Sequence, residues 1–162
     1  MNKRLKEVRK EIGGKIKKKE LWLFWDKEIE WDGKIRVAFI GLNPTEGKRP
    51  GNLEAFKKIL DHHGFSGAFV TDLIKIRNKR PDDNFWNTIH AEILKKEIEV
   101  VKPYFVIAIG KEVESVLRNP KYNLGVPVEK IRHYTRTNRD ELNKDIERIA
   151  KKYRNLAKQQ RA

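Results

Sequence analysis

The chain has 162 residues, with 37 Lys and Arg against 23 Asp and Glu, a formal charge of +14 and no cysteine. That length supports one domain with a substantial core, and the missing cysteine excludes disulfides, iron–sulfur clusters, Cys-ligated zinc and thiol nucleophiles. The longest purely apolar stretch, residues 105–109, is too short to span a bilayer, and the first twenty residues lack an apolar signal core, so a cytoplasmic protein with no membrane partner is expected.

Residues 1–19 carry nine basic side chains against Glu7 and Glu11, a net +7, and read as a basic helix or arm. Leu5, Val8, Ile12 and Ile16 share one helical face, interrupted by Gly13 and Gly14. A field of this sign attracts phosphate backbones. Lys and Glu enrichment also fits a thermophilic protein, but there Lys is normally balanced by Glu, so the imbalance favours a nucleic-acid partner. Residues 20–162 are then one α/β domain. In its first part Trp22, Trp25 and Trp31, with Leu21, Leu23 and Phe24, read as cover for a sheet more readily than as a stacking platform for bases.

Strands and helices alternate from there. Residues 35–41 form a strand that breaks into the turn Gly41-Leu42-Asn43-Pro44, where Pro44 fixes φ and pushes Asn43 toward extended backbone. A helix over 52–63 follows, with Leu53, Phe56, Ile59 and Leu60 at helical spacing and a stop at Gly64. Next come a strand over 68–76, a polar loop over 77–83, and a helix over 84–101 ended by Lys102-Pro103. Residues 104–110 are a buried strand leading into a short helix through Leu117. A loop over 119–127, a strand over 128–134 and a charged helix over 138–156 complete the chain. Four strands separated by helices imply parallel pairing in a three-layer α/β/α sandwich, with strand order 2-1-3-4. On these helices His62-His63 reads as cationic charge at a helix end, and Glu92, Glu97 and Glu99 as a solvated face with Lys95 and Lys96.

The strand ends collect polar residues: Asn43 after the first, Asp72 and Lys75 in the second, Lys111 after the third, and His133, Thr135 and Arg136 at the fourth. Parallel strands that all end this way share one cleft. Three segments, GLNPTEGKRPGNLEAFKKIL, AFVTDLIKIR and KPYFVIAIGKEVESVL, resemble the first motif, the base-reading strand and the third strand with its helix in the uracil-DNA glycosylase superfamily, in its mismatch-type and thymine-type branches. IRHYTRTNRDEL is similar to the His-Pro-Ser motif of other branches. The resemblance covers residues 35–149.

It implies a monomeric DNA glycosylase that hydrolyses the N-glycosidic bond of a flipped deaminated or mismatched base, with no metal or organic cofactor. Asn43 would hold the attacking water, and His133 would donate to the carbonyl of the departing base. Gly41, Leu42, Asp72 and Phe69 would form the base pocket. Lys48, Arg49, Gly51, Asn52, Lys75, Lys111, Thr135 and Arg136 would hold the DNA, with Arg136 entering the duplex. The chain departs from the family pattern in three ways. Many members have Asn where this chain has Asp72; an ionised carboxylate opposes a uracil carbonyl, so Asp72 suits either a protonated state or a base with an exocyclic amino group, and it also reads as a loop cap bonded to Lys75 or Arg77. The stretch 45–50 lacks the base-stacking ring, leaving Phe69 as substitute. His133-Tyr134-Thr135 lacks the proline. The alternative is a module of the same fold that binds nucleic acid or a nucleotide without cutting it.

Overall fold

The computed structural model describes residues 2–12, 14–17, 20–27, 29–44, 50–135 and 137–161. Its strands, β1 (Val37–Gly41), β2 (Phe69–Asp72), β3 (Phe105–Ile109) and β4 (Val128–Ile131), form one all-parallel sheet in the order β2-β1-β3-β4. The expected sandwich and strand order are therefore present. β1 and β3 are apolar along their length because both faces of these central strands are covered.

Side chains alternate across the sheet, so each strand feeds two cores. Ala38, Ile40, Phe69, Val106 and Ala108 face the layer of α1 (Lys3–Ile12), α2 (Phe24–Lys27), α4 (Ile89–Val101) and α5 (Lys111–Leu117). Val37, Phe39, Val70, Phe105 and Ile107 face α3 (Pro50–His62) and α6 (Arg139–Arg161). The basic amino-terminal segment is thus not a free arm. Leu5, Val8, Ile12 and Ile16 are buried, while Lys3, Arg4, Lys6 and Lys10 on the other side of α1 are exposed. Burying such an apolar stripe is what stabilises a short helix whose own propensity is marginal.

Several boundaries differ from the sequence pattern for local reasons. The helix expected over 84–101 begins as a single tight turn, Phe85–Asn87, and restarts at Ile89 because Thr88 is extended, with its hydroxyl donating to the Phe85 carbonyl at 2.6 Å. α4 ends as Lys102 adopts left-handed backbone just before Pro103. β2 stops at Asp72 because the chain bends there: the amides of Leu73 and Ile74 donate to the carbonyls of Gly41 and Leu42, at 2.9 and 3.1 Å. Residues 21–27 and 29–32 run alongside β2. Trp22 N–H donates to the Lys75 carbonyl, Leu21 forms an antiparallel bridge with Ile76, and Asp32 N–H donates to the Gly67 carbonyl. Trp25 and Trp31 are buried against this strand, as expected of a cover.

Candidate active site

The order β2-β1-β3-β4 reverses direction between β1 and β3, and the carboxyl ends of open parallel strands at such a point border a crevice. A cavity of about 760 Å³ opens there. Gly41, Leu42, Asn43, Asp72, Lys111, His133 and Thr135, drawn from all four strand ends, line it together.

On the β1 side the turn is stapled to the loop after β2. Asn78 N–H donates to the Pro44 carbonyl at 3.0 Å, and Asn43 Nδ2 donates to the Lys79 carbonyl at 2.7 Å. A carbonyl accepts only from the amide nitrogen, so this bond fixes which way the Asn43 side chain points and leaves Oδ1 as its acceptor end. Gly41 is flush with β2, where it pairs with Asp72: a Cβ at position 41 would lie 2.5 Å from Asp72 Oδ1. Glycine is required here for close approach rather than for its backbone angles.

Asp72 is 7% exposed, and its Oδ2 has no hydrogen-bond partner among the described residues. Burial raises its pKa to about 7; the nearby Lys75 ammonium opposes this and the Glu97 carboxylate adds to it. The ammonium of Lys75 turns away from the Asp72 carboxyl. It donates to Glu97 Oε1 at 2.5 Å, to Thr71 Oγ1 at 2.8 Å and to the backbone carbonyl of Asp72. Glu97 also accepts from the Thr71 hydroxyl and from the Trp25 indole. Lys75 and Glu97 are both fully buried. Two expectations are thereby corrected: Lys75 cannot reach a phosphate because it is neutralised inside the core, and Glu97 belongs to no solvated face. The loop-cap reading of Asp72 fails on the same geometry, since Lys75 bonds its main chain and not its carboxylate, and the Arg77 guanidinium lies over the Trp22 ring, 3.6 Å from its centre.

Behind this network His90 Nδ1 accepts from the Lys75 amide at 3.0 Å. Burial, and then the charges of Lys79 and Lys75, lower its pKa to about 4. Asp72 and His90 pull stability in opposite directions. The raised Asp72 pKa stabilises the fold at low pH, and this is lost as pH rises through about 7; the lowered His90 pKa stabilises it above 6.5, and this is lost as pH falls toward 4. Asp72→Asn removes the first effect. We expect its stability in urea titrations to fall more steeply than that of the wild type between pH 7 and 4, whereas parallel curves would show that folded Asp72 is ionised across this range.

On the β4 side, His133 Nδ1 accepts from the Thr135 amide at 3.2 Å and lies 2.6 Å from the Thr135 hydroxyl. A backbone N–H only donates, so Nδ1 carries the lone pair and the neutral ring holds its proton on Nε2. The ring stacks on Tyr134, which stacks on Phe56. Gly110, with φ of +93°, brings the start of α5 within 3.6 Å of His133 Cβ, measured from the position its own Cβ would take.

Phe69 is fully buried against Trp25 and Trp31, which corrects its assignment to the base pocket. The rings that do line the cavity are Phe24, Phe56 and Tyr134. Arg80 and Arg132 also line it, within 3.8 Å of Glu112 and 2.9 Å of Glu141 respectively. None of these five was singled out for the site from sequence. Helical spacing already marked Phe56 as a buried residue, but no local pattern told that its helix face ends at the cavity. Gly51 and Asn52 fall in the first turn of α3. Lys48, Arg49 and Arg136 lie outside the described residues.

Comparison with protein-family models gives no match, and no curated protein matches the chain. Among the described residues no helix is long and apolar enough to cross a membrane, and no group of three or more His, Cys, Asp and Glu side chains is arranged to hold a metal ion.

Proposed function

We propose that the protein is a DNA glycosylase that hydrolyses the N-glycosidic bond of a flipped deaminated or mismatched base. The observation that supports this best is the pairing of functional groups across one cavity: the amide oxygen of Asn43 on one side, the Nε2 proton of His133 on the other, and the carboxyl of Asp72 beside Gly41. Bond cleavage of this kind passes through an oxocarbenium-like sugar and leaves negative charge on the departing base. An acceptor that holds water on one side and a donor that meets a base carbonyl on the other match those two needs. Phe24, Phe56 and Tyr134 offer apolar wall for an extruded heterocycle. The exposed basic side chains Arg80, Lys111 and Arg132 at the cavity, with those of α1, suit a phosphate backbone.

The test is a panel of oligonucleotides bearing uracil, hypoxanthine, xanthine or a mismatched thymine, incubated with the protein and then treated with alkali. Strand cleavage at one or more of these bases is expected. Salt-sensitive binding with no abasic product on any substrate would replace this reading by that of a non-cutting nucleic-acid module.

A further inference from the structure

Among the described residues, one buried side-chain atom at the cavity has no hydrogen-bond partner: Oδ2 of the Asp72 carboxyl. A buried polar atom without a partner costs about 1–3 kcal/mol and is rare in native proteins. Lys75 and Glu97 bond each other and are completed by Thr71, Trp25 and the Asp72 main chain. The pair carries no net charge, so the pull of the Lys75 ammonium on Asp72 is countered by the Glu97 carboxylate. Behind it His90 gives its Nδ1 lone pair to the Lys75 amide. Across the cavity, Arg80 and Arg132 face Glu112 and Glu141, Lys111 is exposed, and His133 directs its acceptor nitrogen to Thr135.

We propose that Asp72 recognises its ligand as a neutral carboxylic acid, and that the ligand is a heterocycle presenting one N–H donor beside one carbonyl acceptor. This rests on the glycosylase reading for its context and deepens it by naming the substrate edge. A protonated carboxyl has one acceptor oxygen and one O–H donor, which complement such an edge as an amide would. An ionised carboxyl offers acceptors alone and opposes the ligand's carbonyl with like charge. Uracil at N3–H and O4, and hypoxanthine at N1–H and O6, carry the required pair. The raised proton affinity of the buried carboxyl agrees with this, since its neutral form persists to about pH 7. The missing side chain at Gly41 lets Oδ1 lie close beside β1, 2.5 Å from where a Cβ would stand.

The experiment uses the whole protein with free uracil and free hypoxanthine, so that it does not depend on bond cleavage. Carbon-detected NMR of the Asp72 carboxyl, assigned with Asp72→Asn, is expected to show a titration near pH 7. Affinity for both heterocycles should fall about tenfold between pH 6 and pH 8 as the neutral fraction is lost. Asp72→Asn should bind both with no such dependence, and 3-methyluracil, lacking the donor, should bind the wild type at least tenfold more weakly than uracil. A carboxyl that stays ionised down to pH 5, a wild-type affinity flat with pH, no binding of either heterocycle at pH 6, or an Asp72→Asn profile that follows the wild type would each overturn the inference. These outcomes are separable from the failure of catalysis. Proton-linked binding without excision leaves this inference standing and removes the glycosylase, while excision with pH-independent binding does the reverse.

Discussion

Replacing Asn43 with alanine is expected to slow single-turnover excision by about 10²-fold or more, and His133→Ala by a similar factor, with DNA affinity little changed. In the proposed reaction the two side chains would act at opposite ends of the breaking bond. Asn43 is a weak base, so its value there would lie in holding water by an oriented oxygen; the 2.7 Å bond from Nδ2 to the Lys79 carbonyl fixes which way that oxygen points. His133 presents Nε2–H because Thr135 occupies Nδ1, and a donor aimed at the developing charge gains strength as the bond lengthens. In that reaction both interactions would grow in the transition state, which is why rate and not binding should respond. Rapid-quench measurement with enzyme in excess, on the best substrate of the panel, checks this. Wild-type rates in either variant would remove that residue from the mechanism, and a matched loss of DNA affinity would make it a binding group instead.

The largest stability effect is expected at Lys75. Lys75→Met strips the fully buried Glu97 of its cation, and breaking a buried pair in this way costs about 3–5 kcal/mol. For a domain of this size that corresponds to a melting temperature lower by roughly 10 °C. The double variant Lys75→Met with Glu97→Leu should be more stable than Lys75→Met alone, because the stranded charge is gone. Removing the exposed Lys15–Glu92 pair, 2.8 Å apart, should change stability by less than about 1 kcal/mol. Thermal melts of the four proteins decide the matter: a Lys75→Met protein that melts with the wild type would mean that the pair contributes nothing to the fold.

Much of the architecture was legible because the signals were local. Residues 105–109 are apolar at every position, as a strand buried on both faces must be, and Pro103 and Gly110 mark its ends. The turn at Gly41 to Pro44 and the polar strand ends led directly to the residues that line the cavity. What was missed depends on contacts between distant elements. Lys75 sits in a run that reads as a continuing strand, and nothing in positions 73–77 tells that Glu97, 22 residues on, draws its ammonium inward. Glu97 did leave a trace: it lies four residues after Ile93 and four before Val101, on the buried stripe of α4, among Lys and Glu that belong to the other face. Phe24 and Tyr134 meet the cavity from places more than a hundred residues apart, a juxtaposition only the folded chain reveals.

The segments 21–27 and 29–32 lying along β2 bear on how the molecule behaves in a crowded solution. An outer strand with free amides and carbonyls is a template on which another chain can add, and natural sheets guard against it. Here the guard on one side is the protein's own backbone, tied at Trp22 and Asp32 and anchored by two indoles. The opposite border, β4, is four residues long and carries Glu129 clasped by Arg148 and Lys152 of α6, a charged hem unsuited to strand addition. A chain bearing +14 already repels its copies at long range. The two guarded borders extend that resistance to close contact, where charge repulsion alone is screened by salt.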